Sequence, residues 1–408
     1  MPKGSEMERS GEQVLSVVIP AYNEEDGIAA IVERVLAVRP ELAGVGVDLE
    51  LVVVDDGSAD RTAEVVAVCP GARLVCHPTN RGYGAALKTG FNAARGDLLG
   101  FLDADGTYPP ESFPDLCREV LAGADLVVGS RRSGAESEMP LVRRVGNLIW
   151  SNLVTLLGNH RVVDPASGMR VFRREALERL YPLPDGLNFT PVMSTRAIHE
   201  GLRLVEAPIP YKERVGRSKL NVVHDGMRFL QTIIWTVLNY NPVRVLGGLG
   251  AGLSGLGCLI AAVLVGMRVS GITTLGPWGV ASTFTAVVMG IAGVNLFALG
   301  VTFNYLVSLF HKQPVRQGLL GRPLFRVPLE RQFWWMGLLG GMSGLAFGVI
   351  SLILALRDWP IERLWLYLLT GTVLVLAGVQ LEVFWVIVRV LDELSQREAL
   401  VRADIECT

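Results

Sequence analysis

The first half of the chain alternates short apolar runs with segments of helical periodicity. Largely apolar runs that end in polar turn residues predict buried strands at 15–19, 49–54, 73–76, 98–102 and 125–128. Apolar residues at helical spacing from Ile28 to Leu36 predict a helix, and further helices are predicted near 59–68, 81–95 and 110–122. This alternation predicts an α/β domain with a mostly parallel sheet and helices on both faces.

The second half has a different pattern, in which polar residues almost disappear over long stretches. Four stretches are long enough to cross a hydrocarbon core of about 30 Å, at about 244–267, 279–309, 334–356 and 364–390. The first of them is rich in glycine, which predicts close contact between helices in lipid. The chain is therefore predicted to be a multi-pass membrane protein.

Composition and charge narrow the picture further. Half of the 408 residues are hydrophobic and only 19% are charged, which is too apolar for an ordinary soluble enzyme. A net charge of −2 argues against a nucleic-acid partner, and the five cysteines show no metal-ligand spacing, so we expect them to be reduced and structural.

Basic residues cluster in the segment 310–333, which predicts that this loop faces the cytoplasm. Because the number of spans is even, the N-terminal domain is expected on this cytoplasmic side as well. We expect an integral protein of a prokaryotic plasma membrane with its catalytic domain in the cytoplasm, because the first residues lack a signal-peptide core.

Two carboxylates one residue apart follow the most apolar of the predicted strands. Asp103 and Asp105 stand where the run 98–102 ends, and Asp55 follows the run 49–54 in the same way. Ligands bind parallel sheets at the carboxyl ends of the strands, and paired carboxylates suit Mg²⁺ or Mn²⁺. The pair therefore predicts a cation site that neutralises a diphosphate, which is chemistry on a nucleotide.

Seven motifs, taken together, resemble family 2 glycosyltransferases of the dolichol-phosphate mannose synthase and polyprenyl-phosphate glycosyltransferase type. In chain order they lie at 20–25 (PAYNEE), 55–58 (DDGS), 80–82 (NRG), 103–105 (DAD), 129–131 (GSR), 167–170 (SGMR) and 214–219 (RVGRSK). The resemblance covers about residues 14–225, and four membrane spans also occur in longer members of this branch.

The resemblance implies a GT-A-like, Rossmann-like catalytic domain, followed by interfacial helices and four transmembrane helices. The expected divisions are a polar tail (1–13), the GT-A domain (14–225), an interfacial amphipathic helix (226–243), the four-helix transmembrane domain (244–390) and a cytoplasmic tail (391–408). A second amphipathic stretch, 144–157, is also expected in the interface plane.

For the donor, the resemblance implies a nucleotide-diphosphate sugar held by residues from several motifs. These are Pro20, Tyr22, Glu24, Asp55, Arg81, Asp103, Arg214 and Lys219, with Arg217 in the same basic segment. Asp103 and Asp105 would bind the metal. Many dolichol-phosphate mannose synthases carry Leu-Gln after the paired acids, and that glutamine helps to hold the metal. This chain has Gly106-Thr107 there, so Thr107 is the further candidate ligand, and both GDP-mannose and UDP-hexoses stay open as donors. Arg81 is expected near a helix N-terminus that faces the diphosphate.

For the acceptor, the resemblance implies a polyprenyl phosphate, either dolichyl or undecaprenyl, held by Arg131, Arg144 and Asn147. Asp164 is expected to orient an arginine or a sugar hydroxyl. We expect Asp105, Arg131 and Lys219 to be the catalytic set, and we expect Asp105→Ala and Arg131→Ala to fold because both positions lie in polar loops.

The expected activity is inverting transfer of a mannose- or glucose-type hexose to the lipid phosphate by a metal-dependent enzyme in contact with the bilayer. Whether the enzyme is a homo-oligomer is left open. Two alternatives stay open. One is a processive polysaccharide or glycolipid synthase, although the nearest string to its Gln-X-X-Arg-Trp element, at 231–235, lacks the arginine. The other is a non-catalytic scaffold or translocation subunit.

Overall fold

The computed structural model describes most of the chain and divides it into two units. The described residues are 13–132, 146–148, 151–152, 154–155, 162–211, 222–272, 276–311, 329–359 and 361–406. The first compact unit is Met1–Thr236 and the second is Val237–Thr408.

The first unit contains a seven-stranded sheet. Its strands are β1 (Gln13–Ala21), β2 (Val47–Asp55), β3 (Ala72–Cys76), β4 (Leu98–Phe101), β5 (Leu126–Ser130), β6 (Arg170–Arg173) and β7 (Leu204–Pro208). They lie in the order β3-β2-β1-β4-β6-β5-β7, and only β6 runs against its two neighbours. The predicted mostly parallel sheet is therefore confirmed, while β6 and β7 were not predicted.

Helices cover both faces of this sheet. They are α1 (Ile28–Ala37), α2 (Arg39–Ala43), α3 (Thr62–Ala67), α4 (Tyr83–Ala93), α5 (Phe113–Leu121), α6 (Ala176–Leu180) and α7 (Phe189–His199). A further helix, α8 (Val222–Tyr240), follows them and continues into the second unit. One core cluster contains α1 and α5, and the other contains α4, α6 and α7. In the second cluster Phe91 meets Phe172 edge to face, with ring centroids 5.3 Å apart.

The second unit contains the four long apolar helices that the sequence predicts. They are α9 (Gly248–Val269), which follows a π-helical turn at Val243–Gly247, then α10 (Pro277–His311), α11 (Phe333–Ala355), which follows a 3₁₀ turn at Leu329–Gln332, and α12 (Ile361–Glu406). The segments long and apolar enough to span a membrane are Val243–Val269, Pro277–Phe310, Leu329–Ala355 and Leu364–Ser395.

Glycines bring these helices together in pairs. A Cβ at Gly250 would overlap the backbone of Gly293 and Phe297, and one at Gly344 would overlap the backbone of Gly371. Lipid chains give apolar helices no hydrophobic reason to associate, so close backbone contact at small residues has to hold such pairs. The glycine-rich first span therefore packs as expected, through Gly250.

Candidate functional site

Four strands deliver polar side chains to one edge of the sheet. β1, β2 and β4 are parallel neighbours, and β5 points the same way because it pairs antiparallel to β6, which pairs antiparallel to β4. Their carboxyl ends lead to Tyr22, Asp55, Asp103 and Arg131 respectively. The structure thus gathers acids and an arginine at the edge where ligands of parallel sheets bind.

The loops after β1 and β2 are tied to each other and form one wall of this edge. Asn23 N donates to Ser58 Oγ at 2.9 Å, and Glu24 N donates to Thr62 Oγ1 at 2.9 Å. Asp55 is only 4% exposed, and its Oδ1 has no hydrogen-bond partner among the described residues. A buried carboxylate oxygen without a donor is costly, so a ligand N–H or O–H would stabilise it. Tyr22 is exposed beside it, and Pro20 is buried at the end of β1.

Asp56, the second acid of that turn, has a structural role that the sequence did not indicate. Its Oδ1 accepts from the amide of Arg81 at 2.9 Å and lies 2.7 Å from His77 Nδ1, and its Oδ2 accepts from the amide of Gly82 at 2.8 Å. Both Asp56 and His77 are buried. Asp56 therefore fixes the start of α4 relative to β2.

The backbone amides at the start of α4 donate to acceptors within the protein. The amides of Arg81 and Gly82 donate to Asp56, and those of Gly84 and Ala85 donate to the Asp185 carbonyl at 2.7 and 3.2 Å. Protein acceptors thus occupy the amides that a diphosphate would need. The Arg81 side chain is exposed, and its contact with the donor diphosphate stays a prediction.

Asp103 is held from two sides. Tyr83 Oη donates to Asp103 Oδ1 at 2.7 Å, and a Cβ at Gly168 would overlap the Asp103 carboxylate. Burial and the adjacent Asp103 charge raise the pKa of Tyr83 well above its ordinary value, so the phenol keeps the proton that it donates. Gly168 is required here because the carboxylate fills the place of a side chain.

Asp105 lies in a tight turn with Thr107. Its Oδ1 accepts from Thr107 Oγ1 at 2.6 Å and from the Thr107 amide at 3.2 Å. Asp103 and Asp105 are both half-buried, whereas Thr107 is buried. No group of three or more His, Cys, Asp or Glu side chains placed to hold a metal occurs among the described residues. Two carboxylates at a solvent-accessible edge still fit Mg²⁺, which commonly takes one or two carboxylates together with substrate phosphates and water.

Arg131 forms a bidentate pair with Asp164. Arg131 Nε and Nη2 donate to the two Asp164 oxygens at 2.8 and 2.6 Å, and Asn147 Nδ2 donates to the same carboxylate at 2.9 Å. Burial opposes ionisation of both partners, but the Arg131 charge lowers the pKa of Asp164 and the Asp164 charge raises the pKa of Arg131. Asp164 thus orients an arginine, and phosphate binding by Arg131 would use the third nitrogen, Nη1.

Glu206 and Arg170 support this pair from the interior. The Glu206 carboxylate accepts from the amides of Val163 and Asp164, at 2.9 and 2.7 Å. The fully buried Arg170 donates to the carbonyls of Pro165 and Ser167, and burial lowers its pKa to about 10, so it stays charged at neutral pH. Nothing local in the sequence indicates the role of Glu206, because its contacts with Val163 and Asp164 join segments 43 and 42 residues apart.

Tyr108 links the acidic turn to the arginine. Its Oη accepts from the amide of Gly168 at 2.7 Å, and Arg131 Cζ lies 5.9 Å from the Tyr108 ring and 5.5 Å from that of Tyr211. Burial raises the pKa of Tyr108, with Arg131 opposing the shift and Asp103 adding to it. The paired aspartates and the guanidinium are therefore on the same side of the domain, separated by one aromatic residue.

Several predicted residues lie outside the described part of the chain. These are Arg144, Arg214, Arg217 and Lys219, together with half of the amphipathic stretch 144–157. α8 contains most of the predicted interfacial helix 226–243. Within it, Ile233 is buried, while Met227 and Trp235 are 62% and 60% exposed. The helix is thus two-faced, and its place in the interface stays a prediction.

Two family models match the chain. Residues 16–181 match glycosyl transferase family 2, and residues 242–402 match a domain of unknown function, DUF8752. The second match covers nearly all of the four apolar helices.

Curated relatives extend the first match. The chain is 31% identical over 314 residues to the undecaprenyl-phosphate 4-deoxy-4-formamido-L-arabinose transferase of Edwardsiella ictaluri, covering 73% of this chain and 90% of that protein. It is 34% identical over 308 residues to the low-salt glycan biosynthesis hexosyltransferase Agl6 of Haloferax volcanii, covering 74% of this chain and 70% of that protein.

Among solved structures, glucosyl-3-phosphoglycerate synthase from Mycobacterium tuberculosis in complex with Mn²⁺, uridine diphosphate and phosphoglyceric acid is 26% identical, with a TM-score of 0.46, covering 55% of this chain and 78% of that one. The family itself is shown by the curated relatives, which match the catalytic unit and extend beyond it. With its seven motifs, its strand-end site and these relatives, the chain belongs to glycosyltransferase family 2.

Proposed function

We propose that the chain transfers one hexose from a nucleotide-diphosphate sugar to the phosphate of a polyprenyl phosphate, with inversion at the anomeric carbon. The observation that carries the proposal is the joint placement of Asp103, Asp105 and Arg131 around Tyr108 at the ligand-binding edge of the sheet. The spans of the second unit place the enzyme where lipid carriers reside. The names of both curated relatives describe sugar transferases, and that of the first includes undecaprenyl phosphate.

The nucleoside of the donor would bind between the loops after β1 and β2. The buried Oδ1 of Asp55 suits an N–H of the base or a ribose hydroxyl, and the exposed Tyr22 ring offers a surface for stacking. Glu24 and Pro20 stand in the same wall, and Arg81, Arg214 and Lys219 are proposed to contact the diphosphate.

Asp103 and Asp105 would hold the divalent cation, Mg²⁺ or Mn²⁺, with Thr107 as a further candidate ligand. When bound, the cation supplies positive charge that stabilises the departing nucleoside diphosphate. The Tyr83 hydrogen bond and the absence of a side chain at Gly168 fix Asp103 in place before any ligand arrives, which lowers the reorganisation needed in the reaction.

The acceptor needs no catalytic base in this scheme. A phosphate monoester has a second pKa of about 6, so its oxygen is already anionic at neutral pH. A lone pair on that oxygen forms the bond to the anomeric carbon, and the bond to the diphosphate breaks with its electrons remaining on the nucleotide. Arg131, oriented by Asp164 and joined by Arg144 and Asn147, would position the acceptor phosphate through Nη1, because Asp164 already takes Nε and Nη2.

A panel of donors and acceptors tests this function directly. Purified full-length protein is given radiolabelled GDP-mannose, UDP-glucose and UDP-N-acetylhexosamines with undecaprenyl or dolichyl phosphate, with and without a chelator. We expect one donor to label the lipid fraction, a loss of at least 100-fold on chelation, and recovery with Mg²⁺ or Mn²⁺. Labelled polymer instead of a single-sugar lipid would favour the processive synthase.

Asp105→Asn tests the role of the carboxylate charge, because it keeps the shape of the turn with Thr107 but removes the charge. We expect it to fold with an unchanged thermal midpoint and to lose at least 100-fold in rate. A variant with normal turnover would remove Asp105 from the catalytic set.

A further inference from the structure

The four-helix unit contains a cavity at one end that combines charged and aromatic side chains. Its volume is about 680 Å³, within the range of small-molecule sites, and its walls include Arg331, Arg389, Glu330, Asp392, Trp334 and Trp385. Neither the family model for this unit nor the relatives' names assigns it a ligand.

This cavity lies at the ends of segments that are long and apolar enough to span a membrane, so its expected depth is that of the lipid headgroups. Arg331 is near the beginning of one membrane-spanning segment, Leu329–Ala355, and Asp392 is near the end of another, Leu364–Ser395. Val243, where the first span begins, packs in one cluster with Phe333 and Phe384, so these span ends meet on one side of the unit. Tryptophan and arginine at such depths also serve as membrane anchors, and the experiment below separates that role from a binding site.

A second, mostly apolar cavity lies further along the same two helices. It has a volume of about 480 Å³ and is lined on α11 by Leu338, Met342 and Leu345 and on α12 by Val379, Val383 and Val386, together with the side chain of Glu382. Leu338 lies one turn after Trp334, and Val386 lies about one turn before Arg389, so the two cavities follow the same faces of the helices. A charged chamber above an apolar groove fits a lipid better than it fits a free phosphate.

The balance of charges in the upper cavity indicates which kind of lipid headgroup fits. Two guanidiniums suit phosphate oxygens, whereas the carboxylates of Glu330 and Asp392 would repel the second charge of a phosphate monoester. A phosphodiester carries a single charge. One of the carboxylate acceptors is already used, because Tyr305 Oη donates to Asp392 Oδ1. If the phosphodiester also carries hydroxyls, the remaining carboxylate oxygens can accept hydrogen bonds from them, and the Trp334 and Trp385 rings offer apolar faces to a sugar ring.

We propose that this cavity and groove bind a lipid-linked sugar phosphodiester, with phosphate at Arg331 and Arg389, sugar against the tryptophans and carboxylates, and prenyl chain in the groove. The proposal rests on the proposed function, since the product of that transfer is such a phosphodiester. It assigns the four-helix unit a binding role for the product in addition to anchoring.

Photo-crosslinking of the full-length protein in lipid nanodiscs tests this assignment. The probes are farnesyl phosphodiesters of glucose and of mannose, each with a diazirine at the far end of the prenyl chain. We expect label in peptides that contain 338–345 or 379–386. Unlabelled farnesyl phosphodiester sugar should compete at least tenfold better than farnesyl phosphate or dioleoyl-phosphatidylglycerol.

Matched variants complete the test. Arg389→Gln and Trp385→Leu should each reduce the labelling at least fivefold, whereas Arg357→Gln, an exposed arginine just beyond the opposite end of α11, should not. Asp105→Asn should bind the probe normally while transferring no sugar, so a failure of the proposed transfer and a failure of this site give different results. Equal competition by phosphatidylglycerol, stronger competition by farnesyl phosphate, or labelling insensitive to Arg389 and Trp385 would each overturn the assignment.

Discussion

At the scale of the residue, Asp55 and Asp56 are neighbours in one turn and have opposite roles. Asp55 has an oxygen with no partner among the described residues, whereas both oxygens of Asp56 accept hydrogen bonds from backbone amides. From sequence alone the two acids are equivalent. Burial and partners separate a ligand-binding position from a structural one.

Asparagine substitutions at these two positions should therefore differ. Asp56→Asn places an amide N–H against a backbone N–H at the start of α4 and should lower the free energy of unfolding by about 1–3 kcal/mol. Asp55→Asn should change the free energy of unfolding by less than about 1 kcal/mol, because the hydrogen bond that the Asp55 carboxylate accepts from Ser58 N is long at 3.4 Å. It should instead raise KM for the donor about tenfold. Denaturation curves and donor kinetics on both variants check this, and equal destabilisation would contradict it.

The buried Arg131–Asp164 pair changes what we expect of substitutions there. The Arg131 side chain is 13% exposed and that of Asp164 is fully buried, so Arg131→Ala leaves an uncompensated charge. Removing one partner of such a pair costs about 3–5 kcal/mol. The sequence-based expectation that Arg131→Ala folds normally is thus replaced by one of marked destabilisation. Activity tests at Arg131 require a stability measurement beside them.

The same pair gives a pH dependence whose sign follows from the lowered pKa of Asp164. A carboxyl with a folded-state pKa below its ordinary 3.8 stabilises the fold above that pH, and this contribution is lost as the pH falls through the folded-state pKa. Wild type should be more stable than Asp164→Asn at pH 7 and pH 5, and the gap should narrow only below about pH 3.8. Thermal midpoints across this range check it, with the largely exposed Asp185→Asn as control. A gap that stays constant down to pH 3 would be inconsistent with this assignment.

At the scale of the element, strands that contain an apolar run could be predicted from the sequence, whereas strands that form through pairing with distant segments could not. β1, β2 and β4 each contain an apolar run close to a polar turn, so their ends and the acids beyond them could be read directly. β6 (RVFR) and β7 (LVEAP) contain no more than two consecutive aliphatic or aromatic residues, so neither has such a run. Both form because neighbouring strands complete their hydrogen bonds.

The candidate site divides in the same way. Asp55, Asp103 and Asp105 were predictable because each follows a strand. The support from Tyr83, Tyr108 and Glu206 was not, because Tyr83 contacts Asp103 across 20 residues and Glu206 contacts Asp164 across 42. The contacts of Asp56 and Asp185 with the first amides of α4 were not predictable either, because they join segments that are distant in the sequence.

Helix pairing in the second unit makes a testable prediction at this scale. Gly344→Leu should disrupt the contact of α11 with α12, because even a Cβ there would overlap the backbone of Gly371 and Val375. Gly348→Leu, one turn further along α11, is the matched control because a Cβ there meets nothing within 4 Å. Thermal unfolding in detergent should show a midpoint lowered by several degrees for the first variant alone. Equal midpoints would mean that this glycine contact does not hold the pair.

At the scale of the whole molecule, the chain joins a family 2 glycosyltransferase unit to a four-helix membrane unit. The first unit presents acids and a guanidinium at one edge of its sheet, and the second contains a charged cavity with an apolar groove beneath it. Each unit thus has a feature suited to a lipid phosphate. The activity proposed for the chain requires the first of these features, and the product-binding role requires the second.

The central claim is that the acceptor is an ionised phosphate and that the enzyme supplies no base. The most direct test compares initial rates for a polyprenyl phosphate and for the corresponding polyprenol, with the donor selected by the panel. We predict transfer to the phosphate at a rate at least 1000-fold above that to the alcohol, giving a product of inverted anomeric configuration by NMR. Comparable transfer to the alcohol would show that a base is present and would contradict the account.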